Sequence, residues 1–188
     1  MSISGYVTIQ EVKELEFGGH EYLLRIPNKE IALSLHDAII AYFTDTTQYT
    51  PIKSVLYTAL KQADFTLFEE TLVFLFAAIP YNNYVNNTIS EYEGYFVAVL
   101  YAYLAGLGID LRAEDVTNRG WIDLTILLGD NIYILEFKID GDQDAAVRQI
   151  LTKGYHQKYL QEQKNIYLVG ISFSSSERNL NSFTWKQL

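Results

Sequence analysis

The sequence predicts a mixed α/β fold: a sheet carrying a central hairpin, held between two helices and preceded by a mainly helical N-terminal part. Three observations predict it. From Ser90 onward the apolar periodicity alternates in the order α-β-β-β-α-β, with a further short strand pattern at the end. In the middle of that run, residues 121–138 hold two apolar, β-branched-rich segments around the turn signal Gly129-Asp130-Asn131, which reads as a β-hairpin. The helical patterns at 65–78 and 90–107 are apolar on nearly every face, which suits helices packed on a sheet or inside a core.

Taken in order, residues 6–9 and 22–26 are short strand patterns with Gly18-Gly19 as the turn. Pro27 breaks the chain, and Asn28 is placed to cap a helix running to about Phe43, with Ile31, Leu35, Ile39 and Tyr42 on one stripe. Further helices are predicted over 52–61 and 65–78, the latter ended by Pro80. The Tyr- and Asn-rich stretch 81–88 is the expected boundary, giving an N-terminal part at 1–84 and a second domain at 85–188. Ser90 and Glu93 form a capping-box pattern for the next helix, which Gly106 and Gly108 end. A strand over 109–116 leads into the hairpin. An amphipathic helix is expected from Asp142 or Asp144 to about Leu160, burying Ala146, Val147, Ile150, Leu151 and Tyr155. Residues 165–173 form a buried strand pattern, and 179–186 a short final one.

Composition narrows the chemistry. The 188 residues contain no Cys, so disulfides and thiolate metal sites are excluded. The three His (His20, His36, His156) lack ligand spacing. Any metal must therefore sit on oxygen ligands, which favours Mg²⁺, Mn²⁺ or Ca²⁺. No signal peptide or membrane-length apolar run is visible, so a cytoplasmic protein without membrane contact is expected. The net charge of −9 runs against a broad basic face, although Arg148, Lys153, Lys158 and Lys164 oppose only Glu162 between 147 and 164.

Three charges interrupt the apolar hairpin: Asp123, Glu136 and Lys138. Glu136 and Lys138 share a strand face. With Gly129-Asp130 as the loop, Asp123 lies directly opposite Glu136. With Asp130-Asn131 as the loop, Asp123 lies opposite Lys138. Both registers put the three charges on one face, and a three-residue loop would send Asp123 to the other side. Facing carboxylates repel unless positive charge lies between them, and a divalent ion beside Lys138 is the natural candidate.

Asp123 followed after twelve residues by Glu136-Phe137-Lys138 is an Asp…Glu-x-Lys pattern on adjacent strands. With the α-β-β-β-α-β order, the chain resembles the PD-(D/E)XK nuclease superfamily, the restriction-endonuclease-like fold. The likeness extends to a branch of bacterial proteins in which this domain lies C-terminal to an AAA-ATPase-like domain. The matching pieces are Glu93-Gly94-Tyr95-Phe96 with Tyr101, Gly120-Trp121-Ile122-Asp123-Leu124, Ile134-Leu135-Glu136-Phe137-Lys138, Gln149-Ile150, Lys153-Gly154-Tyr155 with Lys158-Tyr159, and Tyr167 to Phe173. Ser4-Gly5-Tyr6 and Pro27-Asn28-Lys29-Glu30 are similar to the region that follows the ATPase part.

The resemblance implies metal-dependent phosphodiester hydrolysis of nucleic acid, DNA first. It implies that Asp123 and Glu136 ligate one or two Mg²⁺ (or Mn²⁺) ions, with Glu93 as a further ligand or one that orients a ligand. It implies that Lys138 positions or helps deprotonate the attacking water, and that Gln149 lines the site. The alternative it leaves open is a weakly active or inactive nuclease-fold module working with an AAA-ATPase-like partner. The sequence has no Gly-x-x-x-x-Gly-Lys-Ser/Thr, so that partner would be a separate chain or lie outside this sequence. A homodimer is a further expected partnership, because nucleases of this fold often pair to cut two strands.

One departure stands out. The branch usually carries Gly-Arg before Ile-Asp, where this chain has Gly120-Trp121, with Arg119 two residues before Trp121. Trp121 would cover the edge of the site or stack on a base. Structural readings stand beside the functional ones. Glu93 equally fits the third helical position of a capping box. Gln149 fits plain helix surface, and His156 a solvated helix position. The tyrosines of 95–103 fit a core, and Arg148, Lys153 and Lys158 fit solvated charges or phosphate contacts. Asp140, Asp142 and Asp144 lack the later Gly and Glu of a calcium loop and suit a helix N-terminus.

Overall fold

The structure is a computed structural model describing residues 6–43, 46–79 and 93–188, with side chains at all of these except 39, 41–43, 46–50 and 93. A two-stranded antiparallel hairpin comes first, β1 (Thr8–Glu14) and β2 (His20–Arg25). Three helices follow: α1 (Lys29–Phe43), α2 (Thr46–Gln62) and α3 (Phe65–Ala77). After α4 (Glu93–Ala105) come the strands β3 (Asp110–Thr117), β4 (Gly120–Leu128) and β5 (Asn131–Ile139). The chain then runs through α5 (Ala145–Lys153), a 3₁₀ helix (Tyr155–Glu162), β6 (Asn165–Ser174) and β7 (Asn179–Gln187). The expected boundary stretch 81–88 lies outside the described residues.

The large sheet has the order β3-β4-β5-β6-β7. Only β5 and β6 run parallel, joined by the crossover through α5. The result is a five-stranded mixed sheet flanked by helices, the α-β-β-β-α-β arrangement of the restriction-endonuclease-like fold. Strict alternation along β5 serves two cores. Tyr133, Leu135 and Phe137 join α2, α3 and α4 on one face. Ile132 and Ile134 join Ile150, Tyr155 and Tyr159 on the other. The next residue of that second row is Glu136, only 1% exposed. A charge thus stands where an apolar side chain would continue the row.

Local chemistry accounts for the ends of these elements. The Asn28 side chain accepts from the Ile31 N–H at 2.9 Å, as its expected capping role requires. Asp64 does the same for α3 through Leu67. The Tyr133 hydroxyl donates to the Leu60 carbonyl near the end of α2, tying that helix to β5. The expected long helix to about Leu160 is corrected: it breaks at Gly154, whose φ of 64° is left-handed and closes α5 in a C-terminal cap. The chain continues as the tighter 3₁₀ helix and sets Tyr155 and Tyr159 against the sheet. Leu151, expected on the buried stripe, is exposed on α5, and so is Leu160 at the expected helix end.

The β1–β2 hairpin differs from the rest. Every residue of β2 is exposed, and Phe17, Tyr22, Leu23 and Leu24 present apolar surface to solvent. Among the described residues, no helix is long and apolar enough to cross a membrane.

Candidate active site

The hairpin register follows the two-residue loop Gly129-Asp130: Leu128 pairs with Asn131, and Leu124 with Leu135. Gly129 has φ +59°, the positive value that a tight two-residue turn takes at its first position. Pairing between β4 and β5 stops at Leu124–Leu135. Beyond it, β4 stays paired to β3 only and β5 to β6 only. The two strands part there, and the parting ends carry Asp123, Glu136 and Lys138.

Asp123 is turned out of the regular pleat. Its neighbours Ile122 and Leu124, two residues apart, belong to opposite apolar clusters. Glu114, between the pairs Ala113–Leu124 and Asp115–Ile122, has φ +49°, a left-handed conformation costly for a residue with a side chain. The Asp123 carboxylate reaches sideways to β5 and accepts the Phe137 N–H at 2.8 Å. A side chain thus takes the place of a ladder acceptor and stands close to Glu136.

The charges are arranged as a unit. Lys138 Nζ lies 3.5 Å from Glu136 Oε1. Gln149 Nε2, on the sheet-facing side of α5, donates to the same oxygen. Tyr155 lines the cleft beside Gln149, at the start of the 3₁₀ helix. Burial raises the Asp123 carboxyl above its ordinary value; the Phe137 N–H, the Lys138 charge and Glu136 pull it down without cancelling that. Burial and the Glu136 charge raise Tyr155 in the same way.

Backbone room makes the convergence possible. A Cβ on Gly170, the register partner of Glu136, would lie 2.9 Å from the Ala146 Cβ and 3.0 Å from Val147. The glycine lets α5 press onto β6 and brings Gln149 over Glu136. A Cβ on Gly120 would sit 3.0 Å from the Tyr155 hydroxyl.

These side chains line a cleft of about 500 Å³, with Trp121 on its rim and the cations Arg119 and Lys153 beside it. Four of the five expected site residues, Asp123, Glu136, Lys138 and Gln149, line this cleft. Glu93 opens α4, and its side chain lies outside the described residues. Arg119, Lys153 and Tyr155 line the cleft as well; sequence reasoning offered Lys153 as a solvated charge or a phosphate contact and gave Arg119 and Tyr155 no catalytic role. The signal was the spacing Gln149…Lys153-Gly154-Tyr155, where the glycine break redirects the chain toward the site.

Among the described residues no three His, Cys, Asp or Glu side chains cluster as a metal cage. The donor set still fits a divalent ion. Asp123 and Glu136 are adjacent carboxylates, and Mg²⁺ commonly binds one or two carboxylates and fills its remaining positions with water.

A separate charged cluster lies near the same end of the sheet. Asp115, 7% exposed, accepts from Lys158, Tyr159 and Thr125. Burial alone would raise its carboxyl, and the three hydrogen bonds together hold it below its ordinary value. Tyr159 is pushed up to about 12 by burial and by Asp115. This network fastens the 3₁₀ helix to β3 and β4. Lys158, expected as a solvated charge or a phosphate contact, stays exposed along its length while its ammonium pairs with the buried Asp115.

The mixed sheet, with an Asp and a Glu-x-Lys converging where two strands part, has the layout of a nuclease-type fold. Residues 91–183 match the family model of the PD-(D/E)XK nuclease superfamily, and this part of the chain belongs to that superfamily. The chain is also similar to a protein of Azotobacter chroococcum mcd 1 described as "Uncharacterized protein in vnfD 5'region", at 36% identity over 188 residues. That match covers 98% of this chain and 36% of the Azotobacter protein, so the chain spans about a third of its relative's length. No solved structure matches the chain.

Proposed function

We propose that the chain is a metal-dependent nuclease that hydrolyses phosphodiester bonds in nucleic acid, with DNA as the first substrate to test. The observation that supports this reading is the meeting of Asp123, Glu136, Lys138 and Gln149 in one cleft at the point where β4 leaves β5. Asp123 and Glu136 are the residues that would hold Mg²⁺ or Mn²⁺, with Glu93 as a candidate third ligand. Such an ion, when bound, supplies Lewis-acid charge at the phosphate and acidity to a water. Lys138 orients that water and offsets charge developing on the phosphate. Gln149 holds the Glu136 carboxylate in one orientation. The elevated Asp123 carboxyl keeps a proton more readily than an ordinary aspartate while no cation is present, and gives it up when a cation binds.

The test is cleavage of single-stranded and duplex DNA and RNA with Mg²⁺ or Mn²⁺. The wild type should cleave at least one form, and EDTA or Asp123→Ala should abolish it. Equal behaviour of wild type and Asp123→Ala would sink the reading. Calorimetric titration with Mn²⁺ should show binding that Glu136→Gln loses.

A second reading has its own support. The exposed apolar hairpin and the greater length of the Azotobacter relative favour an interaction module that works with an AAA-ATPase-like domain or chain, with hydrolysis weak or absent. In that case purified wild type would fail to cleave any form, while binding to the partner would depend on Phe17 and Leu23. Light scattering on the same sample reads whether the chain forms the homodimer expected of a two-strand cutter.

A further inference from the structure

We propose that the cleft accepts a nucleic-acid strand whose base next to the scissile phosphate is unpaired, and that Trp121 is the platform on which this base stacks. The proposal rests on the nuclease reading above and names its substrate class.

Trp121 is 63% exposed and lines the same cleft as Asp123, Glu136 and Lys138. Its register partner on β3, Val116, is 72% exposed, so the two form an apolar shelf at the mouth of the site. The other tryptophan is a contrast. Trp185 stacks on Phe65 with ring centroids 4.1 Å apart, whereas Trp121 meets no described aromatic ring. A large indole held open to solvent on a rigid strand, beside a hydrolytic cleft, is available to a ligand ring.

Charge points the same way. A duplex binder of ordinary affinity neutralises many phosphates with an extended basic surface. This chain carries a net charge of −9, and its cleft gathers a small group of cations. Arg119 and Lys153 make no ion pair with any described carboxylate. The Arg119 guanidinium lies over the α5 cap, 3.5 Å from where a Cβ on Gly154 would stand. Such a group suffices for the phosphates flanking one cleavage point. The remaining grip must come from elsewhere, and base stacking on an aromatic side chain supplies it without sequence preference. A base inside a duplex already stacks on both faces and cannot use the shelf. An unpaired base can.

The experiment uses the full chain in Ca²⁺ or EDTA, where binding is read without turnover. A Trp185→Phe background leaves Trp121 as the sole indole. The probes are a ten-residue oligothymidylate, an abasic strand of the same length and charge, and a ten-base-pair duplex. Oligothymidylate should quench the Trp121 fluorescence and bind about tenfold tighter than the abasic strand, and Trp121→Ala should erase that difference while leaving abasic binding unchanged. Equal affinity for the thymidylate and abasic strands overturns the proposal, as does a Trp121→Ala protein that keeps the preference. So does tighter binding of the duplex than of the thymidylate. The two readings fail separately. Base-dependent binding in a wild type that cleaves nothing removes the nuclease reading and leaves the shelf. Cleavage that depends on Asp123 with no base-dependent binding removes the shelf alone.

Discussion

The Asp123 carboxylate accepts a hydrogen bond from the backbone N–H of Phe137 at 2.8 Å, across the gap where β4 and β5 cease to pair. The contact uses a side chain where a strand would normally offer its carbonyl. It anchors one carboxylate beside Glu136 and keeps the cleft between the strands open.

Asp123→Asn should separate charge from geometry. The amide oxygen can still accept from Phe137, so the anchor survives. The variant should lose at least about a hundredfold in nuclease activity. Its stability should be unchanged or higher, because a buried charge and its desolvation cost are removed together. Urea unfolding and a cleavage assay on one preparation check both; a strongly destabilised variant would count against this account of the Phe137 contact.

Gln149 acts through Glu136. Gln149→Ala leaves that carboxylate with Lys138 but without the amide that fixes its orientation. Affinity for Mn²⁺ should fall by about 10- to 100-fold, as for other residues that orient a metal ligand. The calorimetric titration reads this directly, and excess Mn²⁺ should restore much of the activity.

Gly170 sets the distance between α5 and the sheet. Gly170→Ala would drive a methyl to 2.9 Å from the Ala146 Cβ, with Thr184 and Val147 each at 3.0 Å. The cost should be about 1–3 kcal/mol in urea unfolding, the usual range for overpacking. The activity loss should exceed what the remaining folded fraction explains, because α5 carries Gln149.

The Asp115 network gives an acid-sensitive fold. Its carboxyl is held below the ordinary 3.8, so the unfolded chain binds more protons between the two values and stability rises with pH across that interval. The contribution is complete above about 3.8 and is lost as pH falls through the folded value. Asp123 is raised and has the opposite slope: its contribution to stability declines as pH climbs above 3.8. Thermal midpoints between pH 3 and 6 should therefore show a flatter acid limb in Asp115→Asn and a steeper net rise with pH in Asp123→Asn. Lys158→Met, which leaves Asp115 buried without its cation, should cost about 2–3 kcal/mol at neutral pH, at or below the lower end for a broken buried pair because Lys158 is partly exposed.

The sequence by itself determined the parts governed by near neighbours. The period-two pattern of β5 assigns Tyr133, Leu135 and Phe137 to one core and Ile132 and Ile134 to the other, because successive side chains of a strand must point to opposite faces. Gly129-Asp130 is one of the two loops that keep the three charges on one face, and a two-residue turn favours the positive φ that glycine takes freely. Asn28 announces its helix through a bond three residues away. Tertiary structure decided the rest, because the groups concerned meet across long sequence distances. Glu114 takes its left-handed conformation opposite Asp123 and lets that carboxylate leave the pleat. The buried charge of Asp115 is matched by Lys158 and Tyr159, more than forty residues onward. Arg119, Lys153 and Tyr155 reach the cleft because Gly154 breaks the helix and Gly120 leaves space for a hydroxyl. Periodicity places a residue on a face of its own element; only packing of one element on another decides which faces share a site.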